Sequence, residues 1–273
     1  MEEQTLATGS TGAPAQASHR FVRPTGRMGV RFTIVYTVLV LILIGSLTAF
    51  VVLGLRPGFG SSAKWSSWTP PSGHPLAVAT EIAGYVGPKY KFANGGQLLA
   101  VVPSAPAVTA GTQTIGIVAI ATRTPTGGKQ DVSQLDPGTA VMYTLCGLGN
   151  HCAIASGTPT VQRGALVRRE GLEVALYTFK YIPSVNSVLI YVPPSGVLGA
   201  PASPLLYFTR ESLSGRLDLP LAATLPLQTP PRVGQDDLRE KPILDALTLP
   251  HFYASGLIQL QIGGALLALV HSA

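Results

Sequence analysis

Between Arg31 and Arg56 the chain carries no charge: the run Phe32–Leu55 reads FTIVYTVLVLILIGSLTAFVVLGL. At 1.5 Å per residue these 24 residues reach about 36 Å, enough for a hydrocarbon core of roughly 30 Å. Lipid offers no partner to a free backbone N–H or C=O, so such a run has to be helical. Residues 32–55 are therefore expected to form one transmembrane helix. A cleaved signal peptide is the rival reading, but its apolar region is only about 7–15 residues long. Gly45, Ser46 and Thr48 would let a second helix come close, although no GxxxG spacing is present.

The flanks give the orientation. Arg20, Arg23, Arg27 and Arg31 precede the run, and only Arg56 and Lys64 follow it closely. Basic residues stay on the cytoplasmic side, which puts the N-terminus inside and the rest of the chain outside the membrane. Trp65 and Trp68 come next, and rings of that kind favour the membrane–water interface. The C-terminal stretch Phe252–Val270 is also apolar, but Gln259, Gln261 and Gly263-Gly264 interrupt it. Its alternation has a period of two, which predicts a hairpin of 253–262 with 265–271.

Four segments follow from this. Residues 1–31 are rich in Ala, Gly, Ser, Thr and Pro, and are expected to be a disordered cytoplasmic tail whose arginines meet acidic head groups. Residues 32–55 are the span, and 56–73 (RPGFGSSAKWSSWTPPSG) read as a linker. Residues 74–273 are the extracytoplasmic domain. Within it Pro75 opens a helix that Gly87-Pro88 ends, and Thr158 with Pro159 opens a longer one that Pro183 stops. In that longer helix Leu172, Leu176 and Phe179 share a face. Arg163, Arg168, Arg169, Glu170 and Glu173 lie mostly elsewhere, and Gly164 and Gly171 weaken it. Segments 97–102, 114–122, 139–145, 187–192 and 205–209 are rich in β-branched and aliphatic residues and read as strands. Residues 210–231 read as a proline-rich loop, and 236–247 as a short helix kinked at Pro242. The expected class is α+β: a mixed, mainly antiparallel sheet with two or three helices.

Charged residues make up 12% of the chain, against about 25% in a typical soluble domain. The net charge is +6, with no basic run interleaved with aromatics, so nucleic acid is not an expected partner. Cys146 and Cys152 are the only cysteines, in Cys-Gly-Leu-Gly-Asn-His-Cys. Outside the membrane they are expected to form a disulfide closing a small ring. Two other readings stand beside it. Cys146, His151 and Cys152 supply three metal ligands but no fourth. Thr144-Leu145-Cys146 resembles the end of the sortase motif, which would pair a cysteine nucleophile with His74 and with Arg163 or Arg168. His251 and His271 are isolated, and Ser195 sits in Pro-Pro-Ser-Gly, unlike a hydrolase elbow. Gly127-Gly128-Lys129 is a turn without a phosphate loop, and Asp236-Asp237 suits a helix start. No catalytic, metal or cofactor site is expected.

Several strings together resemble uncharacterised single-pass membrane proteins of actinobacteria: Trp65-Ser-Ser-Trp68-Thr-Pro, Gly95-Gly96-Gln-Leu, Tyr143-Thr-Leu-Cys-Gly-Leu-Gly-Asn-His-Cys152-Ala-Ile, and Arg168-Arg-Glu-Gly-Leu-Glu-Val-Ala-Leu-Tyr177-Thr-Phe. The resemblance implies a shared architecture from anchor to C-terminus and no activity. The functional expectation is a non-enzymatic envelope module that binds a protein partner or an envelope component. Two alternatives stay open: an extracytoplasmic cysteine-dependent transferase or hydrolase, and a signalling or division accessory working through its cytoplasmic tail.

Overall fold

The computed structural model describes residues 27–54, 64–110, 112–123, 131–154, 156–194, 203–235, 239–261 and 263–271. Arg20 and Arg23 with the rest of the tail to residue 26, Leu55 at the end of the expected span, linker residues 56–63, the turn at 127–129, Ser195 and Asp236-Asp237 lie outside them. The chain divides into two units, Met1–Ser62 and Ala63–Ala273.

Among the described residues of the first unit is the helix α1 (Arg27–Gly54), of 28 residues. It starts five residues before the expected span. Its side chains are described at Phe32 and 34–48, and all of these are exposed. The Ser46 hydroxyl donates to the Ile42 carbonyl at 2.9 Å, and that of Thr48 to Ile44 at 2.5 Å. Those polar groups are thus satisfied within the helix itself. Among the described residues no helix is long and apolar enough to cross a membrane.

The second unit is a mixed α+β structure. It holds strands β1 (Ala100–Ser104), β2 (Ala107–Ala110), β3 (Gln113–Arg123), β4 (Asp131–Gln134), β5 (Ala140–Cys146), β6 (Ser187–Tyr191), β7 (Pro204–Thr209), β8 (Phe252–Gln259) and β9 (Ala265–His271). Its helices are α2 (Pro75–Val86), α3 (Val161–Tyr181), α4 (Arg210–Leu217), α5 (Leu221–Thr224) and α6 (Lys241–Thr248). The described strands form one nearly closed sheet in the order β1-β5-β6-β7-β8-β9-β3-β2, with β4 also on β3. Only β3·β9 and β5·β6 are parallel; the other pairings are antiparallel.

The period-two alternation of the strands sorts their side chains into two cores. Val141, Tyr143, Val188, Ile190, Leu206 and Phe208 face the helices. Their neighbours Met142, Leu189 and Leu205 point the other way and meet Ile117, Ile120, Leu267 and Leu269 from β3 and β9. The sheet curls because both faces of β5, β6 and β7 are apolar and each needs a cover. The C-terminal hairpin closes the curl. Its turn runs through Gly263 and Gly264 at φ 89° and 85°, a region that side chains with a Cβ rarely adopt.

Several elements depart from expectation. The 210–231 stretch is partly helical: Thr209 and Ser212 form a reciprocal capping box that starts α4, and Pro220 caps α5. Pro242 lies in the first turn of α6, where a missing N–H costs nothing, so it starts the helix instead of kinking it. Thr160, not Thr158, caps α3. The largest difference concerns α3 itself. Residues 166–179 are buried almost all round, including Arg169, Glu170 and Glu173. Gly171 lets the helix settle on the sheet, since a Cβ there would lie 2.8 Å from the Leu206 side chain.

Candidate functional site

Helix α3 threads the middle of the larger core, so charges placed on it must find partners in the protein or cost several kcal/mol each. Arg169 finds them fully. Its Nε donates to Glu240 at 2.5 Å, and Nη2 donates to Glu240 at 3.1 Å and to the Leu227 carbonyl at 2.5 Å. Nη1 donates to the Tyr90 hydroxyl at 2.7 Å and to Glu173 at 3.2 Å. A guanidinium has five N–H donors, and all five are engaged. Burial disfavours the Arg169 charge, but Tyr90, Glu240 and Glu173 outweigh it and raise its pKa overall.

Glu173 is engaged just as completely. It accepts from Lys89 Nζ and from the Tyr90 hydroxyl, each at 2.7 Å. Burial first, and then the Glu173 charge, push the Tyr90 phenol well above its usual range, so it acts as a neutral donor. The local sequence explains how these groups meet. Gly87–Lys89 form a 3₁₀ turn directly after α2, which delivers Lys89 and Tyr90 to the side of α3. Glu240 is the residue before α6. Arg169 and Glu173 are one turn apart on α3, the spacing that makes helix pairs meet. Glu170 is the exception. It is fully buried, neither carboxyl oxygen has a partner among the described residues, and burial followed by the nearby Glu173 charge raises its pKa well above the carboxylate range.

Beside this network lies a cleft of about 250 Å³ lined by Trp65, Tyr85, Lys89, Arg169, Glu173 and Tyr177, among others. The segment before α2 supplies its aromatic wall. Trp68 stacks on Tyr85 with ring centroids 4.1 Å apart, and Trp65 meets Tyr177 edge-on at 5.2 Å and Tyr181 at 5.7 Å. Lys89 Nζ sits 3.7 Å from the Tyr85 ring centroid, a cation–π contact. The indole N–H of Trp65 is buried without an acceptor among the described residues.

The expected site residues are therefore spread out. Trp65 and Trp68, expected at the membrane interface, pack into the domain's own aromatic cluster. Arg27 and Arg31 begin α1, and Arg20 and Arg23 lie outside the described residues. Cys146 and Cys152 are joined in a disulfide. This leaves no thiolate for the sortase-like or metal readings. Among the described residues no cluster of His, Cys, Asp and Glu could hold a metal ion. His74 precedes α2, and Arg168 is held by Asp245 at 2.7 Å and by the Thr248 hydroxyl at 2.8 Å. His251 lies 5.2 Å from the Phe208 ring, and burial lowers its pKa.

Sequence reasoning missed Lys89, Tyr90 and Glu240. The one readable signal was the Arg169–Glu173 spacing, which equally suits a solvated helix face. No family model matches this chain, and neither the curated proteins nor the solved structures contain a significant match.

Proposed function

We propose that this chain is a membrane-anchored binding protein of a bacterial envelope. Helix α1 serves as the anchor, and the α+β unit lies outside the membrane, where its aromatic cleft takes a protein partner or an envelope component. The observation that carries this reading is the state of the cleft's charges. Lys89, Arg169 and Glu173 are each committed to other protein groups, so the cleft offers contact surface and shape in place of a poised base or nucleophile. The uncharged run 32–55 and the self-satisfied hydroxyls of Ser46 and Thr48 support the anchor.

The test has two parts. Full-length protein should stay with membranes through alkaline carbonate washing, and protease added outside the cell should cut the unit but spare the tail. Crosslinking in the native membrane should then capture a component that Tyr85→Ala loses while the disulfide and fold persist. Release by carbonate would refute the anchor. Capture unchanged by Tyr85→Ala would refute the cleft as the contact.

A further inference from the structure

A second cleft, of about 340 Å³, lies at the start of α3. This falls within the roughly 300–1,000 Å³ of small-molecule sites. Its walls are apolar: Ile154, Val167, Val192, Pro204 and Phe252 face it from five segments of chain. Val161 and Leu249 border it and remain exposed, at 74% and 46%. Water gains little by contacting such walls, so an apolar chain would displace it favourably.

One charge in this cleft is unbalanced. Arg163 lines it and is only 6% exposed. Among the described residues its guanidinium makes one hydrogen bond, from Nη1 to the Ser156 carbonyl at 3.1 Å, and meets no carboxylate. Arg168 also lines the cleft, but its charge is spent on Asp245. A buried guanidinium without a counter-charge is costly, and burial lowers the pKa of Arg163. The positive end of the 21-residue helix α3 lies at the same place, with the Thr160 hydroxyl accepting from the Arg163 N–H. A guanidinium beside a helix N-terminus suits a carboxylate or phosphate, which it can bind with two parallel hydrogen bonds.

We infer that this cleft binds a single-chain anionic amphiphile, with a carboxylate or phosphate head on Arg163 and an alkyl chain along the apolar walls. The site is separate from the aromatic cleft and does not depend on what that cleft contacts. An uncharged chain would leave Arg163 unpaired, and a free small anion would leave the walls wet.

The test uses full-length protein in phosphatidylcholine nanodiscs and dodecanoic acid carrying a photoreactive diazirine at its chain end. After irradiation, labelled peptides are mapped by mass spectrometry, with label on the nanodisc scaffold protein as the internal control. Label is expected on the peptides around Val192–Pro194 or Leu249–Phe252. Dodecanoate and dodecyl phosphate should displace it at least about tenfold better than dodecanol, since the alcohol lacks the charge-assisted bonds. Inorganic phosphate should not displace it. Arg163→Gln should cut cleft labelling at least about tenfold. Gly164→Leu should also abolish it by filling the cleft; no atom lies within 4 Å of a Cβ there, and Leu favours the helix. Equal displacement by dodecanol would overturn the role of Arg163, and displacement by inorganic phosphate would overturn the amphiphile. Label confined to other peptides of residues 63–273 would overturn this site, yet leave the aromatic cleft as a binding surface. No label outside the scaffold would overturn the inference outright.

Discussion

The two clefts lined by α3 hold the same kind of side chain in opposite circumstances. Arg169 has every donor satisfied by the protein: two carboxylates, a phenol and a carbonyl. Arg163, six positions earlier, is also buried but among the described residues gives one hydrogen bond, to a carbonyl. Burial alone therefore says little about what a charge is for. A saturated guanidinium ties together the segments that supply its acceptors, here the turn after α2, the stretch around Leu227 and the start of α6. An unsaturated one keeps donors in reserve.

That contrast is sharpest in stability. Replacing Arg169 with Met leaves Glu240 in the core without its counter-charge and takes one donor from Glu173, and should destabilise the unit by about 3–5 kcal/mol in chemical denaturation of the full-length protein. A loss below about 1 kcal/mol would break the claim that the network holds the fold. Glu170 tests the same physics from the acidic side. Glu170→Leu removes two buried oxygens that lack partners among the described residues and should stabilise by about 1–3 kcal/mol at neutral pH.

The pH dependence follows from the sign of the Glu170 shift. Its folded pKa is raised by burial, so below about pH 4.5 both states hold the proton and the group costs nothing through ionisation. As pH rises past that point the unfolded chain ionises first, and this group's contribution to stability falls until the folded pKa is reached. Glu170→Leu should flatten the decline; an unchanged pH profile would mean Glu170 is ionised in the fold.

The disulfide comes next in size. Its two cysteines are 6 positions apart, so opening it in the Cys146→Ser, Cys152→Ser double variant should cost about 2 kcal/mol by loop entropy. A thiol assay on the denatured, unreduced wild type should find no free thiol. The smallest effect belongs to Arg163. Arg163→Met should change stability by less than about 1 kcal/mol, or raise it, because no acid is left behind. A loss as large as that of Arg169→Met would place an unrecognised partner beside Arg163 and end the comparison.

Much of the architecture was legible in the sequence. The period-two strands, the Gly-Gly hairpin and the proline-started helix α2 are local features, and local rules reach them. The burial of α3 was not legible. Leu172, Leu176 and Phe179 mark one apolar face, but nothing in their spacing reveals that α2, α6 and the sheet together cover the other faces too. Arg169 and Glu173 then look like an exposed i,i+4 pair, when their other partners come from residues 89, 90, 227 and 240. The packing of Trp65 and Trp68 was not legible for a similar reason. A Trp after an apolar run suits a membrane surface by composition, whereas Tyr85, Tyr177 and Tyr181 claim both rings by long-range packing. Neither cleft could be found from sequence, since each is assembled from segments far apart in the chain.

The central claim is that Arg169 holds the fold together while Arg163 is held for a ligand. It is tested most directly by thermal unfolding of the full-length protein in nanodiscs, with and without dodecanoate, for the wild type and Arg163→Met. A ligand that binds only the folded state raises the unfolding temperature as its concentration exceeds Kd. The expected result is a dodecanoate-dependent rise in the wild type that Arg163→Met abolishes while keeping its unliganded midpoint. An equal rise in both proteins, or none in either, would contradict the account.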